Sequence, residues 1–100
     1  MAFTGSSNSQ SNLAKNAAAA VSVLVSDTLL VAANPARVEV TVCNDHASQV
    51  VYLRLGTGAA VASQGIRLNA AGGSYTTSSY SGEIRAISMT GTSVVTVSEV

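Results

Sequence analysis

Residues 36–55 contain two apolar runs with a polar stretch between them, and this pattern constrains the fold more than any other part of the chain. Valine occupies every second position from 38 to 42, and Val51, Leu53 and Leu55 repeat the spacing. A period of two is that of a β-strand with one buried face. The polar stretch between the runs has the composition of a turn. We therefore predict a β-hairpin whose valine and leucine face lies in the core.

Short runs of the same kind recur along the rest of the chain, with turn signals about every 8 to 12 residues. No segment after residue 20 has a helical period. The spacing predicts an all-β domain over residues 21–100, a single antiparallel β-sandwich of about seven to nine short strands. A jelly-roll-like or Greek-key arrangement is favoured, and a small barrel is the alternative. Besides the hairpin, strands are predicted at 21–25, 28–32, 59–62, 64–68, 74–79, 83–87 and 93–98.

Residues 1–20 differ in composition and are predicted to form a flexible N-terminal arm. Residues 1–12 are mostly Ser, Asn, Gly and Gln, with Phe3 as their one aromatic side chain. Such a segment cannot bury enough apolar surface to order itself. Two interpretations stay open: a disordered tail, or an arm that orders against a neighbouring subunit with Phe3 and Leu13 as anchors.

Charge is scarce in this chain. Lys plus Arg is 5, Asp plus Glu is 5, and only 10% of the 100 residues are charged, against roughly 25% in typical soluble domains. Without a basic patch, we predict no direct binding to nucleic acid. No run of about 18 apolar residues occurs, so we predict no membrane-spanning helix. A weakly charged surface is poorly protected against association, which favours a subunit of an assembly over a small monomer solubilised by Ser and Thr.

The residues with the most reactive side chains are Cys43, Asp45 and His46. All three types bind metals, but no second cluster completes a tetrahedral set, and turn capping explains Asp45 without a metal. His46 is the one histidine, so any Ser-His-Asp or Cys-His catalysis would run through it. No serine lies in a Gly-x-Ser-x-Gly motif. We predict no enzyme activity, no metal and no cofactor.

Charged residues on the polar faces of the predicted strands are the better candidates for function. Arg37 and Glu39 share the outer face of the first strand of the hairpin, and Arg54 lies on the outer face of the second. Glu83 and Arg85 repeat the arrangement near the end of the chain. We predict solvated or intersubunit ion pairs, with Arg37, Glu39 and Arg54 as assembly contacts.

The three tyrosines have two interpretations. Tyr75 and Tyr80 fit the edges or interfaces of a sandwich, where one end of the ring is apolar and the other is wet. Together with Tyr52 they would form the face of a small carbohydrate-binding module. The polar strand at 74–79 is a candidate edge for a partner chain.

The order of several short motifs over residues 33–98 resembles that of small bacteriophage structural proteins. The resemblance implies an all-β protein built into the virion, and no catalytic residues carry over. The motifs are Asn34-Pro35-Ala36-Arg37-Val38-Glu39-Val40-Thr41-Val42-Cys43-Asn44, Val51-Tyr52-Leu53, Gln64-Gly65-Ile66-Arg67-Leu68 and Tyr80-Ser81-Gly82-Glu83-Ile84-Arg85-Ala86-Ile87.

The resemblance implies a capsid decoration (cement) protein that binds the outer shell and stabilises it. It implies a homo-oligomer, with a trimer favoured, and the major capsid protein or other virion subunits as partners. Localisation would be the virion, assembled in the host cytoplasm. A tail, baseplate or head-tail joining protein with the same fold is the alternative.

Overall fold

The computed structural model describes residues 17–100, which form eight β-strands and no helix. The predictions for Phe3 and Leu13 lie outside the described residues. The all-β prediction is confirmed, as is the expected number of strands. The strands are β1 (Ala17–Val23), β2 (Thr28–Val31), β3 (Val40–Asn44), β4 (Val51–Leu55), β5 (Ile66–Leu68), β6 (Ser74–Thr77), β7 (Ile84–Ser88) and β8 (Ser93–Glu99).

The strands form two four-stranded antiparallel sheets. Sheet I has the order β1-β8-β3-β6, and sheet II has the order β2-β7-β4-β5. β1 begins at Ala17 and pairs with β8 along its whole length. Residues 17–20, predicted to belong to the arm, are therefore strand, since their pairing with β8 outweighs the low β-propensity of alanine.

One hydrophobic core joins the two sheets. Its buried residues come from both, in the manner of a sandwich. Sheet I contributes chiefly valines, and sheet II adds the bulkier leucine and isoleucine side chains. The members are Val23, Val40, Val42, Val95 and Val97 from sheet I, and Leu30, Val31, Val51, Leu53, Leu68, Ile84 and Ala86 from sheet II.

The predicted hairpin at 36–55 is wrong. β3 pairs with β6 and β8 in sheet I, whereas β4 pairs with β5 and β7 in sheet II. The polar stretch between them is a connection that crosses from one sheet to the other. Apart from Val38, both runs still direct the predicted faces into the core, from opposite sides. Alternation reports which face of a strand is buried and says nothing about which strand lies beside it.

Two smaller predictions also differ from the structure. Val38, predicted to face the core, precedes β3 and is 60% exposed. The segment 59–62, predicted as a weak strand, belongs to the β4–β5 connection. The backbone N–H of Ala60 in that connection donates to Oδ1 of Asp27 at 2.8 Å. The connection is therefore held against the segment that precedes β2.

Candidate interaction surface

Within its strands, the outer face of sheet I carries no charged side chain among the described residues; the exposed Glu39 and Asp45 lie just beyond the two ends of β3, paired with Val100 and Val94. The pairing registers and the alternation of burial place only small or hydroxyl-bearing residues and one valine there. A shallow depression runs along its middle. We call this surface the neutral face; it consists of Ala18, Ala20, Ser22, Thr41, Cys43, Ser74, Thr76, Val94, Thr96 and Ser98.

Hydroxyl groups on the neutral face bond to groups of the same sheet. The Thr41 and Thr76 hydroxyl oxygens lie 2.9 Å apart across β3 and β6. The Thr96 hydroxyl reaches the carbonyl oxygen of Cys43 at 3.5 Å. Part of the hydrogen-bonding capacity of the face is thus satisfied within the sheet, which lowers the cost of removing it from water.

The charge of the described chain is concentrated on the side of sheet II. Arg85 forms a bidentate pair with Asp27, with Nε to Oδ1 at 3.1 Å and Nη2 to Oδ2 at 2.6 Å. Its Nη1 donates to Glu83 at 2.9 Å. The hydrogen bond from Arg85 lowers the pKa of Asp27, and the two carboxylates raise the pKa of Arg85. The Glu83–Arg85 ion pair predicted from the sequence forms within the chain.

Two further arginines lie on the outer face of sheet II. Arg54 is exposed, as predicted, and its Nη1 donates to the carbonyl oxygen of Ala59 at 3.1 Å. Arg67 lies over the ring of Tyr52, 5.9 Å from the centroid, and donates to its hydroxyl at 3.1 Å. Arg54 remains available as a contact, on the side of the molecule opposite to the neutral face.

Arg37 is not a surface residue, which corrects its prediction as an assembly contact. Its side chain is 0% exposed, and its Nε donates to Glu99 at 2.7 Å. The expected neighbour Glu39 is exposed and is not its partner in an ion pair. Arg37 and Glu39 precede β3, and burial over residues 37–39 does not alternate, so the two side chains need not share a face. The guanidinium also donates to the carbonyl oxygens of Ala32 at 2.7 Å, Gly82 at 2.9 Å and Tyr80 at 3.1 Å.

The tyrosines do not form one platform. Tyr75 lies on β6 in sheet I and packs against the core. Tyr80 also packs against the core, from the β6–β7 connection, and its hydroxyl donates to the carbonyl oxygen of Glu83 at 2.7 Å. Tyr52 lies on β4 in sheet II. Tyr75 and Tyr80 therefore offer little free surface for assembly, and the shared sugar-binding face is missing.

The β3–β4 connection uses its polar side chains to hold its own backbone. Nδ1 of His46 accepts hydrogen bonds from the amides of Ser48 and Gln49, each at 3.0 Å. Cys43 belongs to the neutral face, while the adjacent Asn44 is buried. Over residues 17–100, no three His, Cys, Asp or Glu side chains are grouped so that they could hold a metal ion.

Asn44 has a role that the sequence reasoning missed. Its side chain is fully buried, and Nδ2 donates to the carbonyl oxygens of Gln49 at 2.7 Å and Leu68 at 3.2 Å. Its Oδ1 accepts from the amide of His46 at 3.2 Å. The sequence did contain a signal of this role. Asn44 continues the inward-facing positions 40 and 42, and a polar side chain buried there needs hydrogen-bond partners.

Comparisons with protein-family models, with curated proteins and with solved structures gave no match for this chain. None of the described segments is a helix long and apolar enough to cross a membrane.

Proposed function

We propose that the protein is a non-enzymatic structural subunit of a bacteriophage particle, a decoration (cement) protein that binds the outer shell and stabilises it. The observation that carries the proposal is the neutral face. The charged residues nearest to it in the described part of the chain are Glu39 and Asp45, just beyond the two ends of β3, and the others lie on the sheet II side or in the interior. Depletion of charge is what distinguishes the centre of a protein interface from the rest of a surface.

The strand order supports the proposal that the fold is a jelly roll. Strand pairs are nested, with β1 beside β8 and β3 beside β6 in sheet I, and β2 beside β7 and β4 beside β5 in sheet II. Eight strands in two sheets with this nesting fit a doubled Greek key, an architecture found in viral capsid and lectin domains. Fold alone does not assign function, so this argument adds to the neutral face and does not replace it.

The mechanism follows from mass action. A subunit that binds the assembled shell, and not the separated shell proteins, stabilises the shell. The stabilisation grows with the logarithm of the ratio of the free subunit concentration to the dissociation constant. Burial of the neutral face would supply the binding, since its alanine, valine and threonine methyl groups lose contact with water and no charge must be desolvated. The proposal includes self-association, for which the resemblance favours a trimer.

The local chemistry supports a non-enzymatic role. The one histidine has Nδ1 engaged with two backbone amides of its own connection. Arg85 is shared between Asp27 and Glu83, and Asp27 holds the β4–β5 connection through the backbone N–H of Ala60. Stabilisation of loops thus accounts for these polar and charged residues without a catalytic role.

The test is binding of the purified protein to shells assembled without it, read by co-sedimentation and by the thermal stability of the shell. We expect the wild type to bind and to raise the melting temperature of the shell. Thr96→Lys, which places a charge in the neutral face, should abolish binding. Thr57→Lys is the matched control, since Thr57 is exposed in the β4–β5 connection, away from that face.

The outcomes separate the alternatives. Failure of the wild type to bind shells overturns the decoration role. Equal binding by both lysine variants overturns the neutral face as the contact. The number of copies per particle distinguishes the decoration role from its alternative. Many copies spread over the shell indicate decoration, whereas a few copies at one vertex or in the tail indicate a tail, baseplate or head-tail joining protein.

A further inference from the structure

The edges of the two sheets are protected to different degrees. In sheet II, β2 has four residues and a register shift between Leu29 and Val31, while β5 has three residues and carries Arg67. In sheet I, β6 has four residues. Short length, bulges and charges are the devices that prevent a sheet edge from pairing with another chain. Three of the four edges therefore have such protection.

The fourth edge, β1, has none of these devices. It is seven residues long, and its sequence Ala-Ala-Ala-Ala-Val-Ser-Val contains no charge and no proline. Its register with β8 is continuous, from Ala17 opposite Glu99 to Val23 opposite Ser93. A long, regular and uncharged edge is a template for a further strand.

Hydrogen bonds at the ends of β8 fix which backbone groups of β1 point outward. The amide of Asp45 donates to Val94 O, and the amide of Val100 donates to Glu39 O, each at 2.9 Å. Even-numbered residues of β8 therefore bond to β3, and odd-numbered ones bond to β1, because the direction alternates along an antiparallel strand. The odd-numbered residues of β1 lie opposite the odd-numbered residues of β8 and bond to them. The even-numbered residues of β1 therefore direct their N–H and C=O groups away from β8; these are Ala18, Ala20 and Ser22.

We propose that β1 pairs antiparallel with β1 of a second copy of this chain, about a two-fold axis at Ala20. In that register Ala20 faces Ala20 of the second copy, and Ala18 faces Ser22. Each outward residue meets an outward residue, and each such pair exchanges two N–H···O bonds. Three pairs supply about six hydrogen bonds. The arrangement joins the two copies of sheet I into one continuous sheet.

The chemistry of β1 favours a second copy as the occupant. On the outer face the side chains opposed across the axis are alanine and serine, and on the inner face alanine meets valine, so no like charges are brought together. A two-fold contact uses the same strand from both copies and closes on itself, so it gives a dimer and not a fibre. The two-fold contact differs from the trimer that the resemblance favours.

This inference deepens the proposed function, in which copies of the chain associate, and it is tested on the isolated protein without shells. Loss of dimerisation and loss of shell binding are therefore separate results. A wild type that binds shells as a monomer would overturn the inference and the proposed self-association but leave shell binding standing, and a dimer that binds no shell would overturn shell binding alone.

The first experiment measures mass in solution by light scattering over a range of concentrations. The chain has a mass of 10.0 kDa, and we expect the wild type to have twice that mass and Ala20→Pro to have the mass of one chain. Proline is tolerated at an edge where the N–H points to solvent, so the bonds between β1 and β8 should survive. A monomeric wild type, or a trimer unaffected by Ala20→Pro, overturns the inference.

Ser74→Pro is the matched control. Asn44 N donates to Gly73 O at 2.8 Å, so by the same alternation Ser74 directs its N–H away from β3 at the free edge of β6. This variant carries the same substitution on the protected edge and should remain dimeric. If Ser74→Pro is also monomeric, the effect is not specific to β1 and the inference fails.

The second experiment does not depend on proline being tolerated. In a Cys43→Ser background, Ala20→Cys should form a disulfide-linked dimer under mild oxidation, because directly opposed residues have Cα atoms about 5.5 Å apart, within disulfide range. Ala18→Cys alone should not cross-link, since its neighbour across the axis is Ser22. Equal cross-linking by both variants, or by neither, contradicts the register.

Discussion

The guanidinium of Arg37 joins segments that are distant along the chain. Its four acceptors lie at the end of β2, in the β6–β7 connection and on β8. A planar group with fixed donors suits this task, whereas an ammonium would serve as a single point charge. Arg37 therefore acts as a structural tie in the interior.

We expect Arg37→Met to lower the free energy of unfolding by about 3 to 5 kcal/mol, because it leaves a carboxylate and three carbonyl oxygens without their donor. Urea denaturation measures the change. Arg54→Met is the control: Arg54 is exposed, and its replacement should cost less than about 1 kcal/mol. Similar losses for the two variants would contradict the role of Arg37.

Asp27 makes stability depend on pH. Its pKa in the folded protein lies below the ordinary value of 3.8, chiefly because of the hydrogen bond from Arg85. A carboxyl with a lowered folded pKa adds stability above its unfolded pKa and loses that contribution as the pH falls through the folded pKa. Asp27→Asn should therefore be less stable than the wild type at pH 7, and the gap should narrow in acid. Urea denaturation from neutral pH to about pH 2 checks this; a gap that does not change with pH would contradict it.

At the scale of elements, the β4–β5 connection depends on glycines with positive φ. Gly65 has a φ of 98°, and a Cβ there would lie against the carbonyl oxygen of Leu53. Gly56 has a φ of 120°, but a Cβ there would meet nothing within 4 Å. The two positions therefore separate backbone strain from steric overlap.

We expect Gly65→Ala to destabilise the protein more than Gly56→Ala, because only the first adds a clash with β4 to the strain of a positive φ. Gly56→Ala should cost about 1 kcal/mol or slightly more. Thermal unfolding of the two variants side by side gives the comparison. Equal losses would mean that the connection shifts away from β4 at little cost.

Strand content was predictable from the sequence because alternation and turn residues act locally. The strand from 40 to 44 and the strand from 51 to 55 were both within the predicted hairpin, with the correct inward faces. Their placement in different sheets was not predictable, since it depends on which distant strands they meet. The burial of Arg37 was missed for the same reason, because its partner Glu99 is 62 positions away along the chain.

At the scale of the whole molecule, the two outer faces differ in character. Sheet II carries the exposed arginines and the Asp27–Arg85–Glu83 group, whereas the outward positions of the sheet I strands are uncharged. Composition indicated that charge was scarce, but only the pairing registers reveal that these outward positions carry none of it. The uncharged side includes β1, so the proposed contact between copies and the neutral face are continuous.

A surface without charge interacts almost independently of ionic strength. Coulombic contacts between exposed groups weaken as added salt shortens the Debye length from about 10 Å at 0.1 M to about 3 Å at 1 M, but nothing on the neutral face is subject to that screening. Association through it should persist from dilute buffer to molar sodium chloride and strengthen in sulfate, which favours apolar burial. Sedimentation across that range measures it, and dissociation in high salt would contradict it. The proposed shell binding through this face should be insensitive to salt for the same reason.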